Sequence, residues 1–363
     1  MKLRRPDVSV YMVPTDGPEA DGTFAWDSTT MVIVQVRAGD TTGTGWTYGP
    51  AAVGLMLGEH LAPLVEGHDA LDIPALHDAM CRSVRNAGRP GITACAISAM
   101  DIALWDLKAR LLELPLVSLL GAARTHVAVY GSGGFTTYSD GRLAEQVSGW
   151  VHGLHIPRVK IKIGGDWGHE TLWDLSRVST ARRAIGSDAE LYVDANGAYT
   201  RKQALRVGDG LAEYGVSWFE EPVSSDDLTG LRLLRDTLPC EVAAGEYGYD
   251  LSYFARMVEA GAVDCLQVDA TRCGGITDFL RVAALAHAHG LEVSAHCAPN
   301  AHAAPAASIP NLRHIEWFHD HVRIESMFFD GALDPTGGTV RPEQGPGHGL
   351  TLRTSEAEKY RVA

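Results

Sequence analysis

The stretch PRVKIKIGGD, residues 157–166, decides how this chain folds. Side chains alternate across a strand, so Lys160 and Lys162 share one face while Val159, Ile161 and Ile163 take the other. A parallel strand in an α/β protein is covered on both faces. Two ammonium groups on a covered face are costly unless something anionic meets them. The rest of the chain must supply that anion.

Short apolar runs recur from Val127 onward: VAVYGSGGF, RVKIKIGGD, ELYVDANGAY, SWFEEPV, EVAAGEYG, CLQVDATRCGG, LEVSAHCAPN and RHIEWFHDH. Helical stretches such as ETLWDLSRVSTARRAI lie between them, at the spacing of a βα unit. Eight units predict an α/β fold, a (β/α)8-type barrel over 126–328 with its last unit truncated. Its active site lies where the strands end. Residues 1–125 have another texture. STTMVIVQVRAGDTTGTGWTYG reads as two strands joined by a Gly/Asp turn. ACAISAMDIALWDLKARLLELPLVSLLG reads as a long, largely buried helix broken near Pro115. The tail, 329–363, is loop-like and is expected to return to the N-terminal part.

Bulk properties narrow the function. A chain of 363 residues fits one barrel with an accessory domain. The net charge of -14 argues against nucleic acid or an anionic membrane as partner, so any basic site is local. No apolar run approaches the ~18 residues of a membrane span. MKLRRPDVSVYMV has no long apolar run behind its basic residues, so no signal peptide is expected. The six cysteines have no CxxC spacing. Reduced, buried cysteines and a cytoplasmic location are expected.

The strand ends carry the chemistry. Lys160 and Lys162 mark the second strand, Asp194 the third, Glu220 the fourth and Glu246 the fifth. Asp269 follows on the sixth, His296 on the seventh and Glu316 on the eighth. Any one carboxylate alone reads best as a cap or salt bridge at a βα loop. Three on successive strands, Asp194, Glu220 and Glu246, cannot share a dry pocket as anions without a cation. Oxygen-only ligation with room for water and substrate suits Mg²⁺.

Asp269 bonded to His296 would fix the imidazole tautomer and raise its basicity. Glu316 is expected to be neutral or to share a proton, donating to a developing oxyanion. Lys160 would neutralise a substrate carboxylate and the cluster around the metal. Lys162, its pKa lowered towards neutrality by the metal and its neighbour, would be a base facing His296 across the ring. Bases on both faces of a carbon next to a carboxylate imply removal of the α-proton, giving an enediolate. Reprotonation on the other face racemises or epimerises. Loss of a β-hydroxyl gives a 2-keto-3-deoxy acid.

At these residues the sequence resembles the mandelate racemase group of the enolase superfamily, whose sites pair a Lys or His base with Mg²⁺. KIK resembles its KxK motif, and VDAN, EEP and GE its metal-ligand motifs. Asp269 with His296 resembles its dyad, and Glu316 its final glutamate. The resemblance implies an α+β capping domain, built from 1–125 and the tail, that closes over the barrel mouth. It also implies a substrate contact at Asn196.

Substrate specificity is expected in the cap loops VPTDGPEADGTFAWDS (13–28) and GWTYGPAA (45–52), and in barrel loops bearing Ser132, Arg272, Asn300, His302 and His319. Polar groups there, with Asp16, Glu19 and Asp21, favour a polyol over an aryl substrate. The leading reading is a Mg²⁺-dependent acid-sugar dehydratase acting on a small-molecule carboxylate. A racemase or epimerase of a 2-hydroxy acid comes second and a lactone cycloisomerase third. A non-catalytic sugar-acid binder has no need of two bases. A homo-oligomer is expected.

Overall fold

The computed structural model describes residues 1–363. Eight parallel strands close into a barrel: β4 (Val127–Gly133), β5 (Arg158–Lys162), β6 (Glu190–Asp194), β7 (Val216–Glu220), β8 (Glu241–Ala244), β9 (Cys265–Val268), β10 (Glu292–Ala295) and β11 (Leu312–Phe318). Pairing of β11 with β4, Glu316 beside Tyr130, completes the ring. The period of two is obeyed throughout. Val159, Ile161, Leu191, Val193, Phe219, Val242, Leu266 and Val268 point outward into one core shared with the surrounding helices. Tyr130, Tyr192, Trp218, Ala243 and Cys265 point inward and pack together beneath the charged groups. That apolar plug leaves the interior open only at the strands' C-terminal end.

Ahead of the barrel lies an antiparallel sheet, β1 (Asp7–Ala20), β2 (Ala25–Ala38) and β3 (Thr41–Tyr48), with β2 central. A two-residue turn, Gly39-Asp40, joins β2 to β3. The run MVIV in β2 is buried on both faces for a simple reason. Val32, Val34 and Val36 pack on the helices that follow the sheet. Met31 and Ile33 pack instead with Ala298, Ala301, Ile324 and Phe328 at the barrel mouth. One strand therefore welds the two units together.

The long helix breaks where expected, into Ile92–Leu111 and Leu116–Leu120. It lies directly on β3, because a Cβ at Gly43 or Gly45 would overlap the helix backbone at Ala103 or Ala99. The helix after β11, His319–Phe328, buries Ile324 and Phe328 against the sheet rather than on the barrel wall. That is the form the truncated last unit takes. The tail runs along the barrel first, Thr339 pairing with Ala128. Its end then bonds to β1, with Val10 N–H donating to Ala363 at 2.8 Å. No helix is long and apolar enough to cross a membrane. All six cysteines are free, and only Cys81 is less than fully buried.

The expected loops over 13–28 and 45–52 are mostly strand. Residues 13–20 belong to β1, 25–28 to β2 and 45–48 to β3. Pro14, Gly17 and Pro18 read as turn residues, but an edge strand tolerates them, and the register of β1 on β2 shifts between Pro14 and Glu19.

Glu325 is one of several polar ties between the two units. Trp46 Nε1 donates to it at 3.0 Å, Tyr48 Oη at 3.2 Å and Asn300 Nδ2 at 2.6 Å. Burial outweighs these donors and raises its carboxyl from 4.5 to about 7. The folded state therefore holds a proton there that the unfolded chain has lost, so this contribution is full below 4.5 and disappears as pH rises through 7. The unfolding free energy of the wild type, minus that of Glu325→Gln, should fall by about 1.4 kcal/mol per pH unit across that window. Urea titrations of both proteins at stepped pH check this, and a flat difference contradicts it.

Candidate active site

Register places the charged groups. Lys162 pairs with Asp194 and Asp194 with Glu220 across β5, β6 and β7, so one layer of the ring carries all three. Glu246, Asp269 and His296 follow within two residues of the ends of β8, β9 and β10. Glu316 lies inside β11. All are buried.

Lys160 is completely enclosed. Its Nζ lies 2.5 Å from Glu220, 2.8 Å from Glu316 and 3.5 Å from Asp194. Burial opposes its charge, but these carboxylates raise its pKa well above the usual lysine value. Lys160 thus answers the demand made by the KIK strand, and its anions come from the protein itself. Lys162 donates to Asp194. Burial alone would lower its pKa, yet Asp194 raises it. Among the protein's own groups, the carboxylates nearby outweigh the repulsion from Lys160, so any depression towards neutrality has to come from the metal.

Glu316 also departs from expectation. Burial disfavours its charge, but Lys160 lowers its pKa below the usual range. It is an ionised acceptor, receiving Ser132 Oγ at 2.6 Å and Cys297 N–H at 3.0 Å. The dyad forms as expected: His296 Nδ1 lies 2.8 Å from Asp269. Despite burial, that bond helps hold Asp269 ionised. On the other ring nitrogen, Nε2, Glu246 stands 3.2 Å away. Burial works against a charge on His296, and the negative surroundings raise its pKa nonetheless. Lys162 and His296 reach the same cavity from β5 and β10, three places apart round the ring.

Asp194, Glu220 and Glu246 each offer an oxygen within 4.8 Å of the others. Two observations favour a divalent cation among them. Six buried carboxylates, those three with Glu221, Asp269 and Glu316, face four cationic groups, Lys160, Lys162, Arg272 and His296. Fully ionised, the set has two negative charges in excess. The chain offsets these by holding protons. Burial pushes Glu220 up to about 8, and burial with Glu246 raises Glu221 far above its ordinary value. In addition, Glu221 Oε1 is buried without a hydrogen-bond partner.

The cavity over this cluster measures about 480 Å³. The hairpin tip between β1 and β2 roofs it. A Cβ at Gly22 would meet the carbonyls of Gly164 and Ile163 at 2.7 and 2.8 Å, so only glycine lets the tip sit this close. Asp21 caps that turn, accepting from Phe24 N–H at 2.8 Å, and lines the cavity. Asn196, its backbone left-handed at φ 46°, lines it too. A neighbouring cavity of about 550 Å³ is larger but contains neither lysine nor His296.

Several expected specificity residues have other work. Asp16 bonds to Arg142 and His319 outside the cavity, and Glu19 is buried against Trp26. Ser132 is committed to Glu316, Asn300 to Glu325, and His302 to backbone groups around Cys297 and Ala270. Of the named barrel-loop residues Arg272 alone lines the cavity, with Nη1 3.2 Å from Glu246, and Asp21 does so from the cap. The cap stretches 13–28 and 45–52 do reach the wall, through Phe24, Trp26 and Tyr48 as well as polar groups, while sequence reasoning missed Tyr247, Phe318 and His321. The triplet HDH straight after β11 was the available signal for His321, whose ring stacks on Tyr48 at 3.5 Å.

A barrel with three carboxylates on successive strands, two inward lysines and an Asp–His pair defines a class of metal-assisted enzymes acting next to a carboxylate. Residues 10–121 match the mandelate racemase / muconate lactonizing enzyme N-terminal domain, and 142–357 match the enolase C-terminal domain-like family. The chain belongs to this family. A mandelate racemase/muconate lactonizing enzyme-like protein from Rubrobacter xylanophilus shares 52% identity at a TM-score of 0.96, each chain fully covered. A racemase from Streptomyces coelicolor, solved with bound magnesium, shares 30% at 0.93, covering 99% of this chain and 100% of that one. L-talarate/galactarate dehydratase of Salmonella typhimurium is 34% identical over 84% of this chain and 77% of its own length. Other relatives include arabinonate and L-rhamnonate dehydratases and two sugar-acid cycloisomerases.

Asp269→Asn should leave the fold intact, since an amide oxygen can still accept from Thr271 and only the charge facing His296 and Arg272 is lost. It should lower turnover of the accepted acid by about 100-fold or more, by disturbing the tautomer of His296. Wild-type turnover by a folded variant would make the dyad structural.

Proposed function

We propose that the protein is a Mg²⁺-dependent dehydratase of an acid sugar. The observation that carries this reading is the acidic triad, part of a buried cluster with two negative charges in excess, at the base of a cavity with Lys162 on one wall and His296 on another. Asp194, Glu220 and Glu246 would hold the ion, whose oxygen-only donor set suits Mg²⁺. When bound there it would polarise the substrate carboxylate and offset the charge that builds on it.

The chain's own groups do the rest. Lys160 and Glu316 form a fixed ion pair at the floor of the site, where the Lys160 charge offsets the carboxylates around it. Lys162 Nζ takes the α-proton once it has given up its own. The Cα–H electron pair passes into the carboxylate and then expels the β-hydroxyl. His296 supplies that oxygen with a proton from Nε2, while Asp269 keeps the other proton on Nδ1. Water leaves, and the enol tautomerises to a 2-keto-3-deoxy acid. His296 suits the acid's part because its surroundings favour the protonated ring. Asn196, Asp21, Thr29 and Thr30 provide hydroxyl partners along the cavity wall.

A racemase or epimerase is the second reading. Phe24, Trp26 and Phe318 give the cavity one apolar side, and the same two proton carriers serve inversion. Cycloisomerisation is a third outcome of the same proton abstraction, and a sugar-acid binder leaves Lys162 and His296 without a task.

Incubation with a panel of mono- and diacid sugars should give, for the accepted acid, a product lighter by one water that carries a ketone. Unchanged mass with inverted configuration and solvent deuterium at the α-carbon would establish inversion instead. Removal of metal should abolish turnover and added Mg²⁺ should restore it; full activity of a demetallated sample contradicts the proposal.

A further inference from the structure

Cys297 follows the dyad histidine directly, and nothing in the proposed dehydration uses its thiol. Cys297 and Ala298 both have left-handed backbones, φ 51° and 37°, an unusual pair for residues other than glycine. The turn swings the Cys297 side chain back over the site. Its Sγ lies 3.2 Å from His296 Nε2 and 3.4 Å from Glu316 Oε2, and those two atoms are 3.7 Å apart. A tetrahedral ion with one sulfur at about 2.3 Å and N/O ligands at about 2.0–2.2 Å has ligand edges of roughly 3.3–3.6 Å. The three atoms therefore already stand close to one face of such a tetrahedron. Asp269 on Nδ1 presents Nε2 as the ligand atom, the carboxylate–histidine arrangement found behind zinc. Glu316 Oε2 is held in place by Cys297 N–H, while Lys160 and Ser132 engage the other oxygen. The fourth position opens to the cavity that Cys297 and His296 line.

We propose that His296 Nε2, Cys297 Sγ and Glu316 Oε2 form a second metal site, selective for a thiophilic divalent ion such as Zn²⁺, whose occupation blocks the enzyme. The S–H bond breaks, an S–metal bond forms, and the thiol proton passes to water, as does any proton on Nε2. The sulfur discriminates: thiolate and imidazole suit Zn²⁺ or Co²⁺, whereas Mg²⁺ prefers the adjoining oxygen-only triad, whose Glu246 lies 3.2 Å from Nε2. The two ions need not compete for ligands, since the donor sets share no residue. Metal on Nε2 removes the nitrogen that carries the proton. The site itself does not depend on dehydration being the reaction; only the block depends on His296 moving a proton.

The test needs no substrate. Co²⁺ is titrated into wild type and Cys297→Ser, both kept in saturating Mg²⁺. Wild type should develop thiolate-to-cobalt charge-transfer absorption at one equivalent, and the variant should not. Zn²⁺ should suppress the band in wild type and bind the variant about tenfold or more weakly. Cys297→Ala, which keeps a Cβ at the left-handed position, should behave like the serine variant and checks against a hydroxyl ligand. Absence of the band in wild type overturns the proposal. So does a band that survives in Cys297→Ser, because another cysteine would then be the ligand. Zn²⁺ binding that excess Mg²⁺ abolishes, unaffected by either variant, places the ion in the triad and also overturns it.

Discussion

Two surplus negative charges at the mouth of the barrel govern this molecule. Asp194, Glu220, Glu221, Glu246, Asp269 and Glu316 are buried together, and Lys160, Lys162, Arg272 and His296 do not balance them. A buried carboxylate left uncompensated costs several kcal/mol. The chain meets part of that cost by enclosing Lys160 among three carboxylates and part by keeping protons on Glu220 and Glu221. Protons are a poor solution in an enzyme that must attract an anion. A divalent cation removes the whole excess, leaves the carboxylates ionised and draws a substrate carboxylate to the same place. The stability problem and the catalytic device are the same set of atoms.

The rest of the fold protects this arrangement from water. The aromatic plug of Tyr130, Tyr192 and Trp218 seals one end. At the other, the hairpin tip at Gly22 lies against the carbonyls beyond β5 and β6, a contact any larger residue would prevent. β2 buries one face in its own helices and the other on the barrel, so the cap is held by apolar packing as well as by Glu325. Exclusion of solvent strengthens each charge interaction within.

Much of this was legible in the chain. Period-two alternation made the strands plain, and a polar residue ending each apolar run marked the site. A barrel then forces those ends together whatever the details of the helices. Ionisation was not legible. The state of Glu316 depends on Lys160 lying 2.8 Å away, and that of Lys162 on its contact with Asp194, neither of which spacing reveals. Ser132, Asn300 and His302 looked free because hydrogen-bond partners distant in sequence cannot be read from a local run. Residues 13–20 looked like a loop because prolines and a glycine interrupt an edge strand. Phe24 and Trp26 joined the cavity wall only through the way the hairpin docks.

The central claim is that a cation replaces the protons held by this acidic cluster. The most direct measurement is calorimetric titration of Mg²⁺ into demetallated protein at pH 7 in buffers of different ionisation enthalpy. At that pH, below the value of about 8 for Glu220, the account predicts a single site whose filling releases roughly one to two protons. Binding without proton release, or no binding, would contradict it.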